Sequence, residues 1–208
     1  MSIKNNYTYD GIGGLVGKCN SHTAILNSYV IGNIQSDASK IGGIIGNFLG
    51  GIINQTYSAV NISSEGDFIG GICGYSSVSN QNITNNISFG NLYTNVNTTY
   101  IDGVIGNNGE TKNNYTFEGQ TINGRFLYEN SLTKEQLMNK NTYINIIKLG
   151  QEFSYDATSE GKLPLLKEKQ KDDLLYNQKL IDIPSLNNIT IDEVTYESNS
   201  GKMQALIT

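Results

Sequence analysis

Two short sequence elements recur along the first 120 residues at nearly constant spacing, and this repetition constrains the possible folds more than any other feature. The first element carries two adjacent glycines between branched apolar residues. Its copies are marked by Ile12, Ile41, Ile69 and Ile101, which are 29, 28 and 32 residues apart. A period of about 29 residues without helical spacing of apolar positions indicates a stack of similar units.

The second element follows each copy of the first and is rich in Tyr, Ile, Ser and Asn. Both elements are short, carry β-branched and aromatic residues, and are bounded by Gly, Asn and Ser, which is typical of strands. The apolar counterparts in the second element are Tyr29/Tyr57/Ile87/Tyr115 and, two positions on, Ile31/Ala59/Phe89/Phe117.

Short strands repeated in this way predict an all-β fold, namely a parallel β-solenoid (β-helix) of about four to five coils with a small helical C-terminal cap. Counterpart residues of successive coils should then lie about 4.8 Å apart and form ladders. The ladders expected for the first element are Ile12/Ile41/Ile69/Ile101 and Val16/Ile45/Cys73/Ile105.

Alternating polarity predicts which way each strand faces. In the second element we expect Tyr29 and Ile31 to point into the solenoid, because the intervening positions are polar. This polar row is Ser28/Ser58/Ser88/Thr116. As a hypothesis, the exposed Ser, Thr and Asn rows form a flat binding face. The first element is apolar on both parities, which predicts a strand covered on both faces. The row opposing Ile12 is Leu15/Ile44/Ile72/Val104.

Glycines and amides also recur in rows. The glycine pair predicts a tight bend or a close approach of covering backbone. Because Asp102 replaces the first glycine in the fourth copy, the second row is expected to be the stricter one, namely Gly14/Gly43/Gly71/Gly103. The amides either hydrogen-bond along the solenoid axis or are ordinary turn residues, and both interpretations stay open. Their rows are Asn27/Gln55/Asn85/Asn113 and Asn33/Asn61/Asn91.

A change of composition near Gly119–Ile122 predicts three regions: solenoid repeats over residues 1–120, a capping segment over 121–166, and a helical connector with the start of a following β region over 167–208. Of the 23 glycines, 19 precede residue 121, whereas both prolines and 10 of the 14 Lys and Arg follow it. The chain opens in the middle of a repeat at residues 5–9, which predicts that it has been cut from a longer protein.

Two helices are predicted in the tail. One covers residues 132–140 with Ser131 as N-cap, and the other runs from Leu166 to Lys179, where alternating charges are typical of a solvated face. A charged helical segment is a suitable cover for the unpaired strand edges at the end of a stack.

The glycine-pair element, followed by Asn-Ser-Tyr-Val-Ile-Gly-Asn-Ile at residues 27–34, resembles the GLUG repeat of bacterial surface proteins, notably the immunoglobulin-A-specific zinc metallopeptidases of Gram-positive bacteria. The repeat similarity covers about Asn5 to Phe117. Segments 131–137, 149–155 and 161–166 resemble the end of such arrays, and residues 190–196 resemble the start of the next region. The resemblance implies a virulence-associated protein that is extracellular or attached to the cell wall.

The resemblance brings no catalytic site. Those peptidases use a His-Glu-x-x-His helix, in which two His bind zinc and Glu activates water. Here His22 is the single histidine and is followed by Thr-Ala-Ile. We therefore predict that these residues hold no catalytic, cofactor-binding or metal site, and that the chain needs no cofactor and is not an enzyme.

The remaining sequence features limit the partners. Cys19 and Cys73 cannot supply a zinc tetrahedron or a disulfide framework, and we expect two free thiols, with Cys73 buried in its ladder and His22 in a surface turn. A net charge of -5 disfavours nucleic acid and anionic membranes. No apolar run approaches the roughly 20 residues of a membrane span, so no membrane insertion is expected.

Three classes of function are consistent with a repeat protein of this kind. The first is a non-catalytic module of a secreted or cell-surface metallopeptidase, serving as a spacer or substrate-positioning surface, with the parent's other domains and a host protein such as immunoglobulin as partners. The alternative is a solenoid adhesin without any peptidase. A β-helix carbohydrate-active enzyme is rejected, because it needs carboxylates aligned across coils and the strands offer Asp102 alone.

Overall fold

The computed structural model describes residues 1–5, 11–78, 82–97, 100–107, 112–126, 130–167, 196–199 and 202–205. Over these residues the chain winds into a parallel β-solenoid of about four coils, which confirms the predicted fold class. Each of the first three coils contributes a short strand before the glycine pair, a second strand after it, and a long or divided strand from the second sequence element. In the fourth coil the second of these strands is reduced to an isolated bridge between Ile105 and Cys73.

The strands follow the repeat. The first coil contains β2 (Ile12–Gly13), β3 (Val16–Cys19) and β4 (Thr23–Ser36), and the second contains β5 (Lys40–Gly42), β6 (Ile45–Phe48) and β7 (Gly51–Ser64). The third contains β8 (Phe68–Gly70), β9 (Cys73–Ser76), β10 (Ile83–Thr84), β11 (Asn86–Ser88) and β12 (Leu92–Thr94), and the fourth contains β13 (Tyr100–Asp102), β14 (Asn114–Phe117) and β15 (Thr121–Ile122). An additional strand, β1 (Ser2–Asn5), pairs in parallel with β4.

Counterpart residues stack as predicted. Ile41 pairs with Ile12 on one side and with Ile69 on the other, and Ile69 pairs with Ile101. In the second ladder Ile45 joins Val16 to Cys73, and Cys73 pairs with Ile105. The Tyr29/Tyr57/Ile87/Tyr115 ladder is also formed.

The first element is a corner rather than one strand covered on both faces. The sheet β2-β5-β8-β13 ends at the glycine pair and the sheet β3-β6-β9 begins after it. Ile41, Ile44 and Ile45 are all fully buried in one cluster, because the chain turns between them and each strand faces the interior. The apolar character on both parities therefore reflects a change of direction. The tight bend predicted from the glycines is confirmed.

Both glycine positions are crowded in the inner coils, so the second row is not visibly stricter than the first there. A Cβ on Gly43 would lie 2.0 Å from the Ser58 hydroxyl, and a Cβ on Gly42 would lie 2.7 Å from the Gly74 nitrogen of the next coil. In the last coil Asp102 replaces this first glycine, and its Oδ1 accepts hydrogen bonds from the backbone N–H groups of Val104 (2.8 Å) and Ile105 (3.3 Å).

The predicted facing of the second element is reversed. Val30 belongs to the cluster that fills the solenoid, and its ladder partner Ser58 is fully buried against Gly43. Tyr57 belongs to a second cluster on the outer side of the sheet. The predicted row was also out of register, because Ser28 pairs with Thr56 and not with Ser58. Small polar side chains fit the narrow space opposite the glycines, whereas tyrosines do not.

The second cluster joins the outer face of the sheet to residues 131–167, which we call the cap. The Phe153 ring lies 5.9 Å from that of Tyr57, and the Tyr57 hydroxyl donates to the Pro164 carbonyl at 2.5 Å. The cap residues in this cluster are Leu132, Leu137, Tyr143, Ile147, Leu149, Phe153 and Leu163. The cap therefore covers the side of the stack.

Short strands protect part of the end of the stack. β17 (Ser131–Leu132) pairs in parallel with β14, and β16 (Arg125–Phe126) pairs antiparallel with β15. The cap continues through α1 (Lys134–Leu137), a π-helix (Thr142–Ile147), a 3₁₀ turn (Thr158–Glu160) and the antiparallel pair β18 (Phe153–Ser154) and β19 (Leu165–Leu166).

The helix predicted at 132–140 is shorter than expected, and its N-cap is Thr133 rather than Ser131. Thr133 and Gln136 form a capping box, with the Gln136 N–H donating to the Thr133 hydroxyl at 3.2 Å and the Thr133 N–H donating to the Gln136 side chain at 2.8 Å. Ser131 instead lies in β17. The start of the helix predicted from Leu166 to Lys179 is wrong, because Leu166 lies in β19 and pairs with Phe153. Beyond Lys167 this predicted helix falls outside the described residues. Farther on, β20 (Tyr196–Asn199) and β21 (Lys202–Ala205) form an antiparallel hairpin.

Candidate functional surface: the amide face

The polar rows that were expected to form a flat binding face are mostly inside the molecule. Thr56, Ser58 and Ser88 are fully buried, and the Asn86 and Asn114 side chains are buried as well. The Asn86 amide donates to Asn114 Oδ1 at 2.8 Å, and Asn86 Oδ1 accepts from the Thr56 N–H and hydroxyl, each at 2.9 Å. These side chains form an internal polar ladder and are inaccessible to a partner.

A polar sheet face remains exposed beyond the area covered by the cap. It lies on the second halves of β4 and β7 and on β12. Along these strands the residues alternate between buried positions and positions that point outward. The buried positions include Ile34, Ile62 and Leu92, which belong to the cluster inside the solenoid. We call the surface formed by the outward-pointing positions the amide face, and it consists of Asn33, Gln35, Asn61, Ser63, Asn91 and Tyr93.

Hydrogen bonds along the solenoid axis hold the amide face in place. The Asn61 amide donates to Asn33 Oδ1 at 3.1 Å, and Asn61 Oδ1 accepts from the Asn91 N–H at 2.9 Å. Asn91 Oδ1 accepts in turn from the Thr121 N–H at 2.9 Å. This confirms axial hydrogen bonding for the second amide row.

The first amide row behaves differently. Asn27, Gln55, Asn85 and Asn113 all have positive φ angles, between 47° and 60°. They turn the backbone at one corner of each coil, which Asn and other short polar residues tolerate better than β-branched ones. The turn interpretation therefore holds for this row, and Asn85 also hydrogen-bonds along the axis, since its amide donates to Asn54 Oδ1 of the preceding coil at 2.8 Å. The Gln55 amide also donates to the Lys148 carbonyl at 3.2 Å, which ties this corner to the cap.

The edges of the amide face are also polar. β1 adds Lys4 beside Gln35, and Thr121 of β15 continues the Asn91 row. Five strands at about 4.8 Å spacing make this face roughly 19 Å across. Tyr93 is 55% exposed, and it is the most exposed large hydrophobic side chain among the described residues. Tyrosine supplies amphipathic contact area and is enriched at protein interfaces.

The repeat pattern predicted the Asn33 row but not Gln35, Ser63 and Tyr93. Their counterparts differ in side-chain type from coil to coil, so these positions do not form a ladder of like residues that the sequence would reveal. The signal that was present is strict alternation with Ile34, Ile62 and Leu92, which marks a strand with one buried and one exposed face.

The singled-out titratable residues are dispersed. His22 lies exposed in a turn with a positive φ of 79°, as expected for a surface position. Cys19 and Cys73 are both buried and free, which confirms the prediction of two unpaired thiols. Burial raises the pKa of the Cys73 thiol, so it stays protonated. Within the described ranges, no three His, Cys, Asp or Glu side chains are grouped so that they could hold a metal ion.

Comparisons with protein-family models, with curated proteins and with solved structures found no match to this chain. In the part of the chain that the structure describes, no helix has the length and apolar character needed to cross a membrane.

Proposed function

We propose that the chain is a non-catalytic solenoid module of a secreted or cell-surface bacterial metallopeptidase, in which the amide face positions a protein substrate and the stacked coils act as a spacer. The resemblance to the GLUG repeat supports the parent class and the extracellular or cell-wall location. The observation that carries the positioning role is the amide face itself, an exposed polar sheet surface with an exposed tyrosine and side chains already hydrogen-bonded in place.

Rigidity is the physical basis of this proposal. Binding requires the side chains at an interface to be ordered, at about 0.5–1.5 kcal/mol for each flexible side chain. Asn33, Asn61 and Asn91 are already fixed by axial hydrogen bonds, so little further ordering is needed there. Tyr93 extends from the same surface and offers an apolar ring with a polar end.

Immunoglobulin A is the host protein that the resemblance implies, so its binding tests the positioning role. The chain is immobilised and titrated with immunoglobulin A in biolayer interferometry. We expect saturable binding, and we expect Tyr93→Ala to weaken it about tenfold or more, as is common for a tyrosine at the centre of an interface. Tyr100→Ala is the matched control, because this tyrosine is 44% exposed but belongs to β13 in another sheet.

Equal losses in the two variants would contradict a specific role for the amide face. Failure of the wild-type chain to bind immunoglobulin A would leave only the spacer role. The full-length gene product separates the peptidase module from the alternative solenoid adhesin. A His-Glu-x-x-His sequence with a distal Glu supports the peptidase, whereas a wall anchor or further repeats without that sequence supports the adhesin.

A further inference from the structure

The cap contains a half-open groove that is separate from the amide face. Its volume is about 530 Å³, within the range of about 300–1,000 Å³ that is common for ligand sites. The π-helix and the residues beside it form one wall, with Lys140, Ile144 and Lys148. Phe153 lines it from β18, and Lys167 follows β19.

The charge of this groove is opposite to that of the whole chain. Three lysines, Lys140, Lys148 and Lys167, line it together with a single carboxylate, that of Asp156. In the described part of the molecule, none of the three ammonium groups forms an ion pair, whereas Lys162 outside the groove pairs with Glu160 at 2.9 Å. The chain as a whole carries a net charge of -5. Three cations around one cleft therefore produce a local field that attracts anions.

The backbone that carries these lysines is held in place from several sides. The Lys148 carbonyl accepts from the Gln55 side chain of the solenoid, and the Lys167 N–H donates to the Glu152 carbonyl at 2.8 Å. The fully buried Phe153 packs on Tyr57 of β7. Lys148 itself ends the π-helix with a left-handed φ of 62°. Single-turn π-helical segments are frequent at functional sites.

We propose that this groove binds an acidic peptide segment, with its carboxylates at Lys140, Lys148 and Lys167 and a neighbouring apolar side chain against Ile144. Ile144 is 44% exposed, so its side chain is available for such a contact. Ser154 and Asp156 also line the groove, where the Ser154 hydroxyl donates to the Asp156 carboxylate at 2.8 Å. This carboxylate can accept further hydrogen bonds from the N–H groups of a peptide backbone.

A densely sulfated glycan fits the groove less well. It lacks an apolar group for Ile144, and its sulfates are repelled by the Asp156 carboxylate. A peptide avoids this repulsion, because its carboxylates can lie away from Asp156 while its amide N–H groups donate to the Asp156 carboxylate.

The test measures the fluorescence anisotropy of a labelled hexaglutamate peptide that is titrated with the whole chain at low salt. We expect saturable binding to the wild type, weaker binding as the salt concentration rises, and no binding of a hexaglutamine peptide. The variant Lys140→Gln/Lys148→Gln/Lys167→Gln should bind hexaglutamate about tenfold or more weakly, since each exposed charge pair contributes a few-fold. Ile144→Ser should weaken the binding of a glutamate peptide that contains leucine but not that of hexaglutamate.

The matched control is Lys4→Gln/Lys18→Gln/Lys112→Gln, which removes the same charge from exposed positions on the solenoid. This variant should stay within twofold of the wild type, and circular dichroism should show that both triple variants fold. Equal losses in the two variants, no hexaglutamate binding to the wild type, or binding of heparin in its place would each overturn the proposal. Tyr93→Ala should leave hexaglutamate binding unchanged, so the amide face and the groove are tested independently.

Discussion

At the scale of single residues, the end of the stack differs chemically from its middle. In the inner coils the N–H groups of Ile44 and Ile45 both donate to the Ile72 carbonyl of the next coil, at 2.9 and 3.0 Å. Val104 and Ile105 lie at the same position in the last coil and donate instead to the Asp102 carboxylate. Asp102 therefore takes the hydrogen-bonding role that a following coil has elsewhere.

This role predicts a stability effect at Asp102. Asp102→Ala removes the acceptor for two backbone donors, and we expect the free energy of unfolding to fall by about 1–2 kcal/mol, as for loss of a helix N-cap. Asp102→Asn keeps an acceptor oxygen and should lose less than half as much. Urea unfolding followed by circular dichroism measures both. An alanine variant as stable as the wild type would show that water satisfies these donors equally well.

The buried tyrosines predict how stability depends on pH. Burial, and to a smaller extent the neighbouring Tyr29 and Tyr143 hydroxyls, raises the pKa of Tyr57 well above its ordinary value near 10. Burial also raises the pKa of Tyr155 to about 12. In the unfolded chain these hydroxyls ionise near pH 10, so above that pH the folded state holds more protons. Their contribution to stability is therefore complete below about pH 10 and decreases as the pH rises further.

Unfolding free energies at pH 8 and pH 10.5 check this expectation. Tyr57→Phe should reduce the decrease in unfolding free energy between pH 8 and pH 10.5, because it removes one hydroxyl that must stay protonated in the folded state. At pH 8 the same variant should lose about 1 kcal/mol, since the Pro164 carbonyl loses its hydrogen bond. Tyr93→Phe is the control at an exposed position and should change neither value. A Tyr57→Phe protein with the full pH dependence would contradict the assignment.

At the scale of elements, the corner of each coil depends on how closely two strands approach. A Cβ on Gly46 would lie 2.2 Å from the Ile12 nitrogen and 2.6 Å from the Lys40 carbonyl oxygen, both of them backbone atoms. Gly17 holds the same ladder position in the first coil, where its nearest neighbour, the Gly11 carbonyl oxygen, would lie 2.9 Å away. The same residue type is therefore under different steric constraint in successive coils.

The two glycines form a matched pair for mutation. Gly46→Ala forces two strands apart, and we expect it to lower the free energy of unfolding by about 2–3 kcal/mol, as overpacking of a rigid core does. Gly17→Ala should lose less than half of that, because only one contact is close. Chemical denaturation of both variants gives the comparison. Equal losses would mean that intrinsic strand preference, rather than crowding at the corner, determines the requirement for glycine.

At the scale of the whole molecule, two hydrophobic clusters share one sheet. One fills the solenoid, and the other lies between the outer face of the sheet and the cap. Tyr57, Ile87 and Phe89 are at most 1% exposed, although they point away from the solenoid interior. The cap therefore stabilises the coils by covering an apolar face. Among the described cap residues, it is β17 that protects the end of the stack, by pairing with β14.

A truncation tests the covering role of the cap. A chain ending at residue 120 keeps the coils except for β15 but loses the cover over the outer face, so we expect it to bind the dye ANS and to associate as its concentration rises. A chain ending at residue 167 should do neither. Fluorescence and analytical ultracentrifugation provide the readouts. A monomeric 1–120 chain without dye binding would show that the solenoid folds independently, as the predicted boundary implies.

The sequence alone determined the winding of this protein. Each coil repeats with nearly the same length, so Ile41 must lie between Ile12 and Ile69 wherever the strands are parallel, and local strand preference supplies the rest. The ladders, the glycine bend and the free thiols follow from that spacing. The spacing did not determine which of Tyr57 and Ser58 points into the solenoid. Apolar surfaces cover both sides of this sheet, and alternation alone cannot tell which side is the interior.

Only the tertiary structure decided that question, through contacts between residues far apart in sequence. Gly43 leaves room for Ser58 inside the solenoid, and the cap supplies Phe153 and Pro164 to cover Tyr57 from outside. The amide face is what remains uncovered after that packing, and the groove lined by Lys140, Lys148 and Lys167 forms where segments of the cap pack together, with Gln55 of β7 also lining it. Exposure is a property of the packed molecule, so both candidate binding surfaces depend on long-range contacts that the repeat does not encode.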